Sequence, residues 1–411
     1  VTLAQWLARL ERLHPTEIEL GLARISAVAR RLDILPLPAP AIVVAGTNGK
    51  GSTVALIDAL ARAAGLRTVR YTSPHLQTFN ERIRCNGVAA PDAELVSAFE
   101  AVDAARQDVS LTYFEFTTLA ALWWFRRQAP DLYLLEVGLG GRLDAVNIVD
   151  AQVAVVTSLG FDHTDWLGDT LEQIGTEKAG IRRPGRPLVC AADNLPQCVV
   201  DLCREEGVPL IRAGAGFGAG ERLYWQDAAG ERRSVPMPKT VVLGADNLAC
   251  AVQALALLEH LPPDRIEAVA RETRVPGRCQ SVVHQGVEWV FDVGHNAEAL
   301  ARFAGRLPEC AGQRYAVVAM LADKPARRAL NAFESLPLRW YLAGLAGARG
   351  QRAEQLRAAL DAAQDVHCCD TVEDAVAQVC RVAQDGDQVL VFGSFHTVAQ
   401  AATALGMDLE L

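Results

Sequence analysis

A chain of 411 residues, half of them hydrophobic and 22% charged, is long enough for two cored domains; its longest apolar runs are too short to span a bilayer. A formal net charge of −9 argues against nucleic-acid binding, which needs a basic face meeting many phosphates, so small molecules are the expected partners. The ten cysteines are scattered without a Cys-x-x-Cys pair and the N-terminus lacks the pattern of a secretory leader, so reduced thiols and a cytoplasmic location are expected.

Only four of the 40 Lys+Arg residues are lysines: Lys50, Lys178, Lys239 and Lys324. Arginine serves as the general surface cation, which makes each lysine a candidate for work a guanidinium cannot do, as a compact point charge or a neutral amine. Compositional drift is the plain alternative for any one of them.

In chain order, the apolar run AIVVAG 41–46 reads as a buried strand, TNGKG as a glycine-rich turn, and TVALIDALARAAG 53–65 as a helix whose first residues carry hydroxyls. Backbone N–H groups at such a helix start favour an anion, and Lys50 adds a positive charge beside it. The segment departs from the usual phosphate-loop pattern because Gly51 separates Lys50 from Ser52 and Thr53. A tight structural turn is therefore a second reading.

Further strands are expected at 66–73, 131–138, 151–158 and 186–191, with a helix at 116–128 between the first two. Continuous apolar strands alternating with helices predict an α/β domain with a mostly parallel sheet, whose ligands gather at the carboxyl ends of strands. Several strands end in polar groups: Ser73 after the second, Glu136 closing the third, and His163 past the fourth, with Asp162 and Asp165 beside it. Glu136 in an apolar strand calls for a cation or an ion-pair partner. His163 suits a metal or a structural role, and Lys178 could be an ordinary exposed helix cation.

A second strand set, at 286–295, 314–321, 339–345 and 387–394, predicts a smaller Rossmann-like α/β domain, with polar strand ends at Asp292, His295, Asp323, Lys324, Ser394 and His396. Pro276 and Gly277 mark a joint, which gives an N-terminal domain over 1–275 and a C-terminal domain over 281–411, with a cleft expected between them.

Taken together, ELGLAR, AGTNGKGS, TSPHL, NERIR, SLTYFEF, LEVGLGGRLDAVNIV, DHTDWLG, EKAGI, DVGHN, DKP and GSFHTVA resemble the folylpolyglutamate synthase and dihydrofolate synthase family of Mur-ligase-like enzymes, in family order over nearly the whole chain. SLTYFEF and DHTDWLG resemble the bacterial enzymes that add glutamate both to dihydropteroate and to reduced folates. The resemblance implies a P-loop-containing Mur-ligase fold with a C-terminal glutamate-ligase domain.

By position, the resemblance assigns ATP to Gly49, Lys50, Gly51, Ser52, Asn247, Arg278 and Asp292, and Mg²⁺ at two sites to Ser73, Glu136 and His163. It assigns the pterin to Glu19, Leu20, Gly21, Phe114, Asp144, Ala145, Val146 and Asn147, where Val146 departs from the family's usual Thr. Lys178 matches a lysine carbamylated by CO₂ to an N6-carboxylate, and Lys50, His163 and Lys178 are the catalytic candidates. The implied chemistry is ATP-driven conversion of a carboxylate to an acyl phosphate that L-glutamate attacks, in a monomer. A monofunctional folylpolyglutamate synthase, another Mur-type amino-acid ligase and a non-catalytic nucleotide-binding regulator are the alternatives.

Overall fold

A computed structural model describes residues 1–16, 18–347, 349–360 and 365–410. The chain divides into two compact units, Val1–Thr273 and Arg274–Leu411.

The first unit is built on β1 (Ala41–Ala45), β2 (Thr68–Tyr71), β3 (Ile83–Cys85), β4 (Val88–Ala89), β5 (Leu132–Glu136), β6 (Val153–Val156), β7 (Leu188–Cys190) and β8 (Leu210–Arg212), in the order β4-β3-β2-β5-β1-β6-β7-β8. β1 runs parallel between β5 and β6, so Val44 lies opposite both Glu136 and Val155. All three strands are buried along their whole length, as their unbroken apolar sequence requires once helices cover both faces. The chain leaves β1 towards β2 on one side and later crosses from β5 past β1 to β6. The carboxyl ends of these strands therefore border the point where the strand order reverses.

Two helix starts differ from expectation. The helix after β1 spans Lys50–Ala63 with Gly49 as its N-cap at φ 86°, and no side chain caps it. Ser52 and Thr53 lie buried inside its first turn, and Gly supplies the left-handed residue that the sharp entry needs. The second helix spans Tyr113–Arg127, starting before 116 because Thr112 and Glu115 form a capping box.

A three-stranded antiparallel sheet, β9 (Gly218–Ala219), β10 (Arg222–Gln226) and β11 (Arg232–Pro236), was not expected from the sequence. It packs on the helix Ala245–Ala256. There the buried Gln253 amide pairs with both backbone groups of Gln226, each at 2.9 Å.

The second unit carries β12 (Gln280–His284), β13 (Val287–Asp292), β14 (Arg314–Val318), β15 (Leu338–Ala343), β16 (Asp365–Cys369) and β17 (Gln388–Phe392), in the order β12-β13-β17-β14-β15-β16. Every pairing is parallel except the β12–β13 hairpin. Its core stacks Phe333 on Phe392 at 4.6 Å between ring centroids, with Phe303 and Trp340 edge-on to both. Among the described residues no helix is long and apolar enough to cross a membrane.

Candidate active site

The turn between β1 and the helix Lys50–Ala63 is held by the end of β6. Thr47 N–H donates to the Ser158 carbonyl (3.0 Å), Asn48 N–H to Ser158 Oγ (2.9 Å), and Thr157 Oγ1 to the Asn48 carbonyl (2.6 Å). The Gly46 carbonyl accepts from two amines, Lys50 Nζ at 3.1 Å and Lys178 Nζ at 3.2 Å. Asn247, in the first turn of the helix Ala245–Ala256, receives the Thr53 hydroxyl on Oδ1 (3.3 Å) and donates to the Leu243 carbonyl (2.6 Å). A Cβ at position 49 would strike Asn247 Oδ1, so this close approach requires glycine. Gly49, Lys50, Gly51, Ser52 and Asn247 thus surround one helix N-terminus with no side-chain cap, a setting that favours an anion.

Glu136 ends β5 beside this helix start. Its carboxylate is 5% exposed, accepts the Ser73 N–H at 3.1 Å, and would lie 3.5 Å from a Cβ on Gly51. His163 sits in the left-handed region (φ 53°) as N-cap of the short helix Thr164–Leu167, with Nε2 4.0 Å from Asp162 Oδ1. Among the described residues no group of three or more His, Cys, Asp or Glu is assembled. One carboxylate with a serine fits Mg²⁺, a hard cation that keeps waters and takes its remaining ligands from substrate phosphates, and fits the closed ligand set of zinc poorly.

Lys178 is not the exposed cation that its sequence position allowed. It lies 4% exposed in the last turn of the helix Leu171–Ala179. Burial, then the charge of Lys50, lower its pKa to about 7, against the opposing pull of Asp162 and Asp144. Near neutral pH about half of such a group is the free amine, against roughly 3 in 10,000 for an ordinary lysine.

The loop after β5 holds the acceptor candidates. Asp144 Oδ2 accepts the Leu139 N–H and Oδ1 the Val146 N–H, both at 2.9 Å. Burial pushes the Asp144 carboxyl up to about 6 although these bonds pull it down. Asn147 donates to the carbonyls of Arg142 (2.9 Å) and Gly180 (3.1 Å) and accepts from Arg183 (3.1 Å), while Ala145 and Val146 are buried in the core. The Phe114 ring lies over Gly138, where a Cβ would come within 2.7 Å of it, and stacks on Tyr71 at 5.7 Å. Gly21 N–H reaches the Leu143 carbonyl (3.3 Å), which brings the half-buried Leu20 and Gly21 to this loop.

Sequence reading missed what holds that entry segment. Glu19 hydrogen-bonds His14 (2.8 Å) and pairs with Arg24, whose guanidinium also reaches the buried Glu115 (3.3 Å). The His14 bond leads the effects that lower the Glu19 pKa. The T-x-x-E capping signal in LTYFEF could have flagged Glu115; nothing in the spacing flags Arg24.

In the second unit Asp292 ends β13, buried, and accepts the N–H groups of Cys279 (2.9 Å) and Gly294 (2.7 Å). Burial raises its pKa while the Arg278 charge opposes that, and Arg278 itself lies 5.7 Å from the Phe395 ring centroid. Arg278 and Asp292 are thus neighbours.

Two family models match: the Mur ligase middle domain over residues 44–235, and the Mur ligase, glutamate ligase domain over 277–395. The fold is that of a Mur-type ligase. The dihydrofolate synthase/folylpolyglutamate synthase of Escherichia coli (strain K12) is 41% identical, covering 97% of this chain and 94% of its own length. The chain belongs to the dihydrofolate synthase/folylpolyglutamate synthase family. The E. coli FolC structure in complex with DHPP and ADP has a TM-score of 0.89 at 40% identity, covering 99% of this chain and 98% of that one. The Yersinia pestis bifunctional enzyme with AMPPNP and Mn ion also has a TM-score of 0.89, at 41% identity over 99% and 98%.

Proposed function

We propose that this chain joins L-glutamate to the carboxyl group of dihydropteroate and of reduced folates, using ATP, as a cytoplasmic monomer. The observation that carries this reading is the convergence of Lys50, Lys178, Glu136 and Asn247 on one helix N-terminus beside the loop of Asp144, over which the Phe114 ring lies. Residues 1–275 bind ATP and the acceptor, and residues 281–411 serve the glutamate step.

The helix start at Gly49–Ser52 and Lys50 hold the β- and γ-phosphates, with Asn247 beside them; in the second unit, taken by itself, Arg278 and Asp292 are the nucleotide-binding candidates. Ser73 and Glu136 would hold one Mg²⁺ and His163 a second, supplying charge neutralisation at the phosphates. Glu19 to Gly21, Phe114 and the 144–147 segment hold the pterin so that its distant carboxylate meets the γ-phosphate in line. The acceptor oxygen attacks phosphorus, ADP leaves, and the glutamate amine then displaces phosphate from the acyl phosphate. Lys178, half neutral near pH 7, attacks CO₂ through its amine and loses a proton to water, leaving a carbamate. Arginine cannot take that step.

Phosphate release with Mg-ATP and L-glutamate, compared for dihydropteroate, tetrahydrofolate and no acceptor, tests the reading. Release is expected with both acceptors. Release with dihydropteroate alone would restrict the chain to dihydrofolate synthesis, and nucleotide binding without release would leave a regulator.

A further inference from the structure

We propose that Thr47 is a positioning residue that locks the loop bearing His163 to the phosphate loop. The Thr47 hydroxyl makes two bonds to one residue of the neighbouring loop: it donates to the Gly160 carbonyl at 3.1 Å and accepts the Gly160 N–H at 3.0 Å. The other links between these loops, from Thr157 and Ser158, stop at the end of β6. Thr47 reaches two residues further, to within three of His163. A hydroxyl is needed because one atom must both donate and accept, and Val, of the same shape, can do neither. Asn194 holds the Leu159 carbonyl from the opposite side (3.2 Å), so the loop keeps an anchor when Thr47 is replaced and the variant is expected to fold.

The clasp sets the distance between the phosphates, fixed by the helix start, and the His163 imidazole. It rests on the reading of His163 as a metal-holding residue given above. A partner hydrogen-bonded to a metal-holding side chain commonly changes metal affinity by about 10- to 100-fold when removed, and Thr47, which holds the backbone three residues from His163, is placed at the low end of that range. Thr47 therefore acts on the coupling between nucleotide and metal, leaving nucleotide binding by itself nearly untouched.

The full chain as wild type, Thr47→Val and Thr47→Ser provides the test. AMPPNP affinity is measured by calorimetry with and without Mg²⁺, and hydrogen exchange is followed in the 158–163 peptide. Thr47→Val is expected to lose about tenfold of the Mg²⁺-dependent gain in affinity while metal-free affinity stays within about twofold, and Thr47→Ser to restore most of the gain. Exchange at Gly160 should rise in Thr47→Val and return in Thr47→Ser. An unchanged Mg²⁺-dependent gain in Thr47→Val overturns the proposal, as does an equal fall with and without metal or a wild type whose AMPPNP binding ignores Mg²⁺. Neither readout uses turnover, so a wild type that binds Mg-AMPPNP yet releases no phosphate sinks the ligase reading and leaves the clasp to be judged on these measurements.

Discussion

The loops after β1 and β5 leave the same edge of one sheet, yet they use their polar groups in opposite ways. Gly46–Ser52 is held from outside, by Thr157 and Ser158 at the end of β6, and its helix start carries no side-chain cap. The loop from Gly138 to Asn147 is held by its own side chains: Asp144 binds the loop's backbone, and the Asn147 amide ties Arg142 to Gly180 past the end of the helix Leu171–Ala179. The first arrangement leaves a helix start without a side-chain cap, a setting that suits an anion. The second commits its motif side chains to scaffolding, so that ring faces and backbone remain to line a pocket. A charged motif residue therefore names a place in the site more reliably than it names a contact.

The sharpest way to break that comparison is at Lys50. On the proposed reading its ammonium acts on transferred phosphate, so Lys50→Met should lower kcat by about 10²–10³ with little change in thermal midpoint. A large loss of stability would make it scaffold after all.

Next comes Lys178→Met, expected to cost at least about tenfold in kcat, with the ¹³C-carbamate signal under labelled bicarbonate lost from the NMR spectrum. It also has a pH signature. The folded pKa of about 7 lies below the ordinary 10.5, so between these values the unfolded chain binds the extra proton and stability rises with pH. Below about 7 both states hold the proton and this slope vanishes. In urea titrations of CO₂-free protein, Lys178→Met should flatten the rise between pH 7 and 10; an unchanged slope would remove the neutral-amine argument.

Asn147→Ala should destabilise the protein by about 1–3 kcal/mol, as the partners of its amide lose their bonds, and raise KM for the acceptor more than for ATP. A rise in acceptor KM at full stability would move Asn147 from scaffold to ligand contact. The smallest expected effect is at Phe114→Leu, a several-fold rise in acceptor KM with ATP kinetics unchanged, since the ring supplies area over Gly138 and little else.

Much of this was legible because it depends on local pattern. Buried parallel strands are apolar throughout, so β1, β5, β6, β13 and β17 stand out, and so do polar residues such as Glu136 and Asp292 that end them. The β3–β4 hairpin was also legible in retrospect: Asn86-Gly87, both at positive φ, is the dipeptide that two-residue hairpins favour. β9–β11 were not, because arginines and glycines dilute the alternation that buries Leu223 and Trp225. The Thr47–Gly160 clasp and the contact of Arg24 with Glu115 join residues about 90 or more positions apart, and spacing in a single chain carries no signal of such partners.

The scarcity of lysine acquires a practical meaning once burial is known. Lys178 and Lys324 are buried and Lys50 is half-buried, which leaves Lys239 as the exposed lysine of the four. The outer surface presents its positive charge almost entirely as guanidinium. An amine-reactive label at neutral pH would therefore mark the native chain chiefly at Lys239 and the α-amino group, and a lysine-directed protease would first cut between β11 and the helix Ala245–Ala256. A second modification would report the opening of the interior in the unit whose buried amine it marks.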